Sequence, residues 1–153
     1  MSVSGPDHGI DPRGPQFTAS LTALVLLVVL LTPSPVAPVL LALQAVLFAW
    51  GATVGVQHTP VALLFRTLVR PCLGAPDHLE DPAPPRFAQA VGLGFAVVGL
   101  LGFATGVEAL ALVAVGCALV AALLNAVFRF CLGCEMYLIV RRTTSRGTAA
   151  ATN

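Results

Sequence analysis

Four apolar runs decide what this chain can fold into: residues 15–32, 36–56, 86–104 and 109–130. Each is close to the roughly 20 residues that a helix needs to cross the hydrocarbon of a bilayer. Charged residues make up only 10% of the 153, whereas a soluble domain carries about 25%. A chain this poor in charge cannot coat itself in water-compatible side chains. Its formal net charge is +1, so it carries no electrostatic footprint for nucleic acid. The lipid bilayer is the partner that the composition implies.

The connections support four spans. "TPSPVAP" at 32–38 holds three prolines in six residues and cannot continue a helix. "TGVEA" at 105–109 is a second short turn. The first run reads as a span and not as a cleaved signal, because Asp7 and Asp11 precede it with only Arg13 as a cation. After the second run, Thr59 suits a helix cap and Pro60 a first helical position. Arg66 and Arg70 fall one turn apart on one face, with Leu63, Leu64, Leu68 and Val69 on much of the other. That segment, 59–74, reads as a short interfacial helix. The apolar stretch from 109 to 140 is too long for one span, and Gly133 is the expected break before a second interfacial helix that stops at Arg141-Arg142.

An Asp-Pro pair stands at the mouth of runs one and three, "DPRGPQF" at 11–17 and "DPAPPRF" at 81–87. Asp as a cap with Pro in the first turn explains either copy alone. The order of features argues for more: start, span, turn, span, Arg-bearing segment, twice over. "LFR" at 64–66 answers "VFR" at 127–129, and "CLG" at 72–74 answers "CLG" at 131–133. The expected domain plan is a tail at 1–10, repeat one at about 11–74, repeat two at about 81–142, and a disordered tail at 143–153. With two spans per half, the repeats are parallel. All eight basic residues are Arg, and all flank the same ends of the spans. The positive-inside rule then puts both termini in the cytoplasm of a bacterial inner membrane.

Small residues at every fourth position, Ala114, Ala118, Ala122 and Ala126 with Ala88, Gly92 and Ala96, suit close helix packing in lipid. Gln44 and Asn125 are polar residues inside spans, for which an interhelical hydrogen bond is the usual role. No ionisable group falls at a midplane, which argues against an ion-coupled transporter.

The feature that carries chemistry is "RFCLGCEMY" at 129–137. On a helix, Cys131 and Cys134 share a face and can form a disulfide or bind one metal ion. Arg129 is a candidate stabiliser of a thiolate, which Glu135 would oppose. Cys72 is a candidate third thiol. A zinc site would need Cys72, Cys131 and Cys134 with His58 or His78. The bland alternative is that the cysteines are small apolar residues at a helix end, as Cys117 is within its span.

With "IDPRGPQF", "EDPAPPRFAQAVG" and "FCLGCEMY" on the page, the chain resembles a bacterial family of small integral membrane proteins, domain of unknown function 4395 (DUF4395), from about Ile10 to Arg142. The resemblance implies a thioredoxin-like or sulfurtransferase partner in the cytoplasm. It also implies an Arg where this chain has Gln16. The expected fold is therefore an all-α polytopic membrane protein, with four transmembrane helices as two parallel two-helix repeats, each followed by an interfacial helix. The leading function is a thiol-disulfide redox or sulfur-relay component with no bound cofactor. The alternatives are a scaffold subunit with packing cysteines and a zinc-binding membrane protein.

Overall fold

A computed structural model describes residues 9–33 and 35–150. Four helices are long and apolar enough to cross a membrane: α1 Arg13–Leu31, α2 Val36–Thr53, α4 Ala83–Thr105 and α5 Glu108–Phe128. Between α2 and α4 lies α3, Pro60–Leu64, which runs on through a π-helical turn at Phe65–Val69 and a 3-10 turn at Arg70–Cys72. Thr59 caps it as the sequence suggests, its hydroxyl accepting from the Ala62 amide at 3.2 Å. Pro71 cannot donate to the preceding turn, so regular helix cannot pass it. The sixth helix, α6, covers Leu132–Ala150.

The long helices pack in the ring order α1, α2, α4, α5, and α1 and α4 have almost no direct contact across the middle. The tight core lies away from the arginine-bearing end. There Leu26, Val29, Leu41 and Val115 are almost fully buried. Two glycines let backbones close up in that half. A side chain on Gly102 would meet the Ala111 amide at 2.6 Å, and one on Gly99 would meet Leu41 at 2.9 Å. Large apolar side chains such as Leu27, Leu43, Val113 and Val120 point outward. A belt of this kind needs lipid around it.

The arginine-bearing end is held by matched contacts from the two halves. Ile10 and Glu80, the residues before Asp11 and Asp81, exchange two backbone hydrogen bonds of 2.9 Å as an antiparallel bridge. Asp11 accepts from the Arg13 amide at 3.0 Å, and Asp81 from the Ala83 amide at 2.9 Å. Gln16 donates to the Ala126 carbonyl near the end of α5 at 2.9 Å. Arg86 does the same for α2, donating to the carbonyls of Ala52 (2.7 Å) and Thr53. Phe17 meets Phe65 and Phe87 meets Tyr137, with ring centroids 5.7 and 5.8 Å apart.

Four readings of the sequence need correction. The break after α5 is at Arg129, whose φ of 56° is left-handed, and not at Gly133. Gly133 lies inside α6, where a side chain would meet Ala88 at 2.6 Å, so its lack of a Cβ serves packing on α4. The "LFR"/"VFR" and "CLG"/"CLG" echoes fall on different elements: 64–66 spans α3 and its π turn, 127–129 ends α5, 72–74 leaves a 3-10 turn, and 131–133 opens α6. Finally, the described structure is helical through Ala150, although a tail was expected from 143, and Ile10 is bridged, although it was assigned to the N-terminal tail. Residues 1–8 and 151–153 of those tails lie outside the described residues.

Two glycines on α4 should respond oppositely to alanine. Gly102→Ala should destabilise by about 1–3 kcal/mol through overpacking. Gly94 has nothing within 4 Å, so Gly94→Ala should stabilise by about 0.5–1 kcal/mol through helix propensity. Thermal unfolding in detergent measures both, and equal effects would contradict the packing described.

Candidate functional site

The Cys131–Cys134 segment owes its place to the chain reversal at Arg129. A left-handed residue ends α5, and the chain restarts as a helix within three residues. Cys131 sits at the N-terminal cap of α6. Its sulfur accepts from the Cys134 amide at 3.3 Å, and its carbonyl accepts from the Glu135 amide at 3.0 Å. Thr59 and Ala62 do the same job at the start of α3, also three residues apart. Thr59 caps α3 with a hydroxyl, and Cys131 caps α6 with a sulfur.

Cys131 and Cys134 are joined in a disulfide, with Cα atoms 5.2 Å apart. Both are half-buried. A helix N-terminus carries partial positive charge and unpaired amides, and it favours an anionic sulfur. Glu135 is in the first turn of α6 and opposes that effect.

The pair borders a cleft of about 1310 Å³ that opens at the arginine-bearing end and runs down between α1 and α4. Arg66, Arg70, His58 and Arg129 stand around its upper part. Its deeper wall includes Phe48, Phe95, Gly92, Cys117 and Ala118. The alanine stripe of α5 therefore has two uses: Ala114 and Ala118 are buried in packing, and Ala118 and Ala122 line the cleft. Gln44 makes the interhelical bond expected of it, to Thr22 at 3.4 Å. Asn125 does not; it lines the cleft with Gln57 and Gln89. The Gln57 side-chain oxygen is buried without a hydrogen-bond partner among the described residues.

Not every sequence candidate converges here. Arg129, His58 and His78 line the cleft with the cysteine pair, and His78 lies 3.4 Å from Glu80. Cys72 is exposed, bonds back to the Leu68 carbonyl, and does not line the cleft. Among the described residues, no group of three or more His, Cys, Asp or Glu is arranged to hold a metal ion. Phe65 and Tyr137, which seat the short helices on α1 and α4, were not singled out as a matched pair in the sequence. Their spacing from Phe17 and Phe87 was the available signal, 48 residues in one half and 50 in the other.

Asp11 stands at the cleft mouth beside Arg13. Burial pushes its carboxyl upward, but the hydrogen bonds and charge of Arg13 outweigh this and hold it below the ordinary 3.8.

These features define a four-helix membrane protein with a helix-capping disulfide at the mouth of an internal cleft. The chain belongs to the family described as Domain of unknown function (DUF4395), whose model matches residues 10–142. That span takes in the Asp-Pro starts, all four long helices and the cysteine pair. No curated protein and no solved structure matches the chain.

Asp11 gives a pH prediction. A carboxyl depressed in the fold contributes stability that is present above 3.8 and is lost as pH falls through its folded value. Asp11→Ala should therefore cost about 1 kcal/mol at neutral pH, the usual value of a lost hydrogen bond. The gap from the wild type should narrow steadily in melting curves taken below pH 3.8. A gap independent of pH would show that the ionised carboxylate contributes nothing.

Proposed function

We propose that this protein is a membrane-bound thiol-disulfide redox or sulfur-relay component of a bacterial inner membrane, with Cys131 and Cys134 as its working dithiol. The observation that carries this reading is the disulfide at the cap of α6, bordering the cleft. A buried structural bond would have no need of a helix N-terminus or of access. The natural exchange partner is a thioredoxin-like or sulfurtransferase protein, arriving at the arginine-bearing end. By the positive-inside rule that end is cytoplasmic. Thiols are kept reduced there, which favours a bond that cycles over one that only braces.

The domain plan belongs to the same proposal. Residues 11–142 form one membrane domain of two parallel repeats. The exchange of equivalent contacts supports this: Gln16 on α5 against Arg86 on α2, Phe17 with Phe65 against Phe87 with Tyr137, and the bridge between Ile10 and Glu80. On this view the second repeat acquired sulfur where the first keeps Thr59 and Ala62.

The two cysteines should differ in reactivity. In a background lacking Cys72 and Cys117, Cys134→Ser should leave a Cys131 thiol that attacks the disulfide of an oxidised thioredoxin-like protein and forms a mixed disulfide, releasing the partner's second thiol. Cys131→Ser should leave Cys134 about tenfold slower, as expected for a thiol without the cap position. Trapped adducts resolved by mass would measure this. Two equally inert thiols in a correctly inserted protein would return the cysteines to a packing role and the protein to a scaffold.

A further inference from the structure

The cleft is larger than a dithiol exchanging with a soluble protein requires. An incoming protein sulfur needs only the mouth, yet the chamber continues past the cysteines to Cys117 and Ala118 on α5. Those residues lie ten or eleven positions from the end of that helix, or about 15 Å at 1.5 Å per residue. That is half of a hydrocarbon layer about 30 Å thick. The depth is lined by Phe48, Phe95 and small side chains, which leave room for an apolar chain. Three side-chain amides also face the cleft, on Gln57, Gln89 and Asn125. None donates a hydrogen bond to another described residue, and the Gln57 side-chain oxygen is buried without a partner among the described residues. An apolar slot with a few convergent polar groups is the usual form of a small-molecule site.

From the proposed redox role of the pair, on which this rests, we propose that the cleft binds a membrane-soluble quinone, the two-electron partner of Cys131 and Cys134. The ring sits in the upper chamber beside the cysteine pair, where its carbonyl oxygens accept hydrogen bonds from the free amides of Gln89 and Asn125. The isoprenoid tail runs down past Phe48 and Phe95 of the lower wall toward lipid. The step balances. The Cys131 thiolate adds to the ring, forming a carbon–sulfur bond. The Cys134 thiol, as it loses its proton, attacks that sulfur, so the S–S bond forms and the carbon–sulfur bond breaks. The electron pair stays on the ring. The ring takes the Cys134 proton and one more from the aqueous mouth, where His58 and Glu135 stand, and becomes the hydroquinone. A dithiol is oxidised and one quinone is reduced by two electrons and two protons.

The test uses the full chain in nanodiscs, reduced, freed of reductant and mixed with decylubiquinone. Quinol is followed by ultraviolet absorbance and the disulfide by intact mass. The expected result is one quinol per disulfide formed, and a Gln89→Leu/Asn125→Leu variant at least tenfold slower than the wild type. Quinone should also raise the melting temperature of the wild type before any electron transfer, so binding is read even if the variant fails to fold. A parallel titration in dithiol buffers separates the two ideas. If the pair cycles reversibly but decylubiquinone neither shifts the melt nor oxidises the pair faster than it oxidises a free peptide bearing Cys-Leu-Gly-Cys, the quinone site is wrong and the dithiol stands. If the pair does not cycle in any buffer, both fall.

Discussion

Backbone groups that emerge from a helix inside or beside lipid must find partners within the protein, because the hydrocarbon offers none. Much of the described structure follows from how this chain meets that demand at one end of its bundle. The last carbonyls of α2 and α5 are taken by side chains from helices that enter beside them, Arg86 of α4 and Gln16 of α1. The first amides of α1 and α4 are taken by Asp11 and Asp81. The strands of chain leading into those two helices then satisfy one another through Ile10 and Glu80. Each half completes the other, so the end that gathers the arginines is also the end that cannot be built from one half alone.

This arrangement leaves the two ends of the bundle with different work. At the far end, glycine and alanine bring α4 and α5 together around Leu41 and Val115, and the core is dense. At the arginine-bearing end the short helices and loops roof over a space that the long helices do not fill. The cysteine pair lies where that roof meets α4, pinned by the approach of Gly133 to Ala88 and of Tyr137 to Phe87. Arg141 lies over the outer side of the Tyr137 ring at 5.8 Å, which adds to the anchoring of α6. The cysteine pair is thus held firmly while its sulfurs stay within reach of the cleft.

The four spans were legible because length and hydropathy alone decide them, and the proline-rich and Thr-Gly turns mark their ends. The cap at Thr59 was legible because hydroxyl, then proline, is a local signal. The stop at Arg129 was not. A glycine four residues later looked the better breaker, but left-handed geometry fell on an arginine, while Gly133 was needed for close approach to another helix. The short identities at 64–66 and 72–74 misled for a related reason: three-letter echoes carry no register. Contacts such as Phe17–Phe65 and Phe87–Tyr137 are similar in place, yet the paired residues differ in type. Thr59 and Cys131 share a capping role without sharing an identity, and that likeness shows only in their hydrogen bonds. The cleft could not be read at all, because its walls are drawn from all six helices, which are far apart in the sequence.

The most direct test of the account is a redox titration of the cysteine pair. The protein in mild detergent is equilibrated across a series of thiol buffers, alkylated before and after reduction, and weighed intact. The account predicts a single reversible two-electron transition of Cys131 and Cys134 near the thioredoxin potential of about −270 mV, with Cys72 and Cys117 alkylated as free thiols throughout. A pair that stays reduced in every buffer, or that never opens, would contradict it.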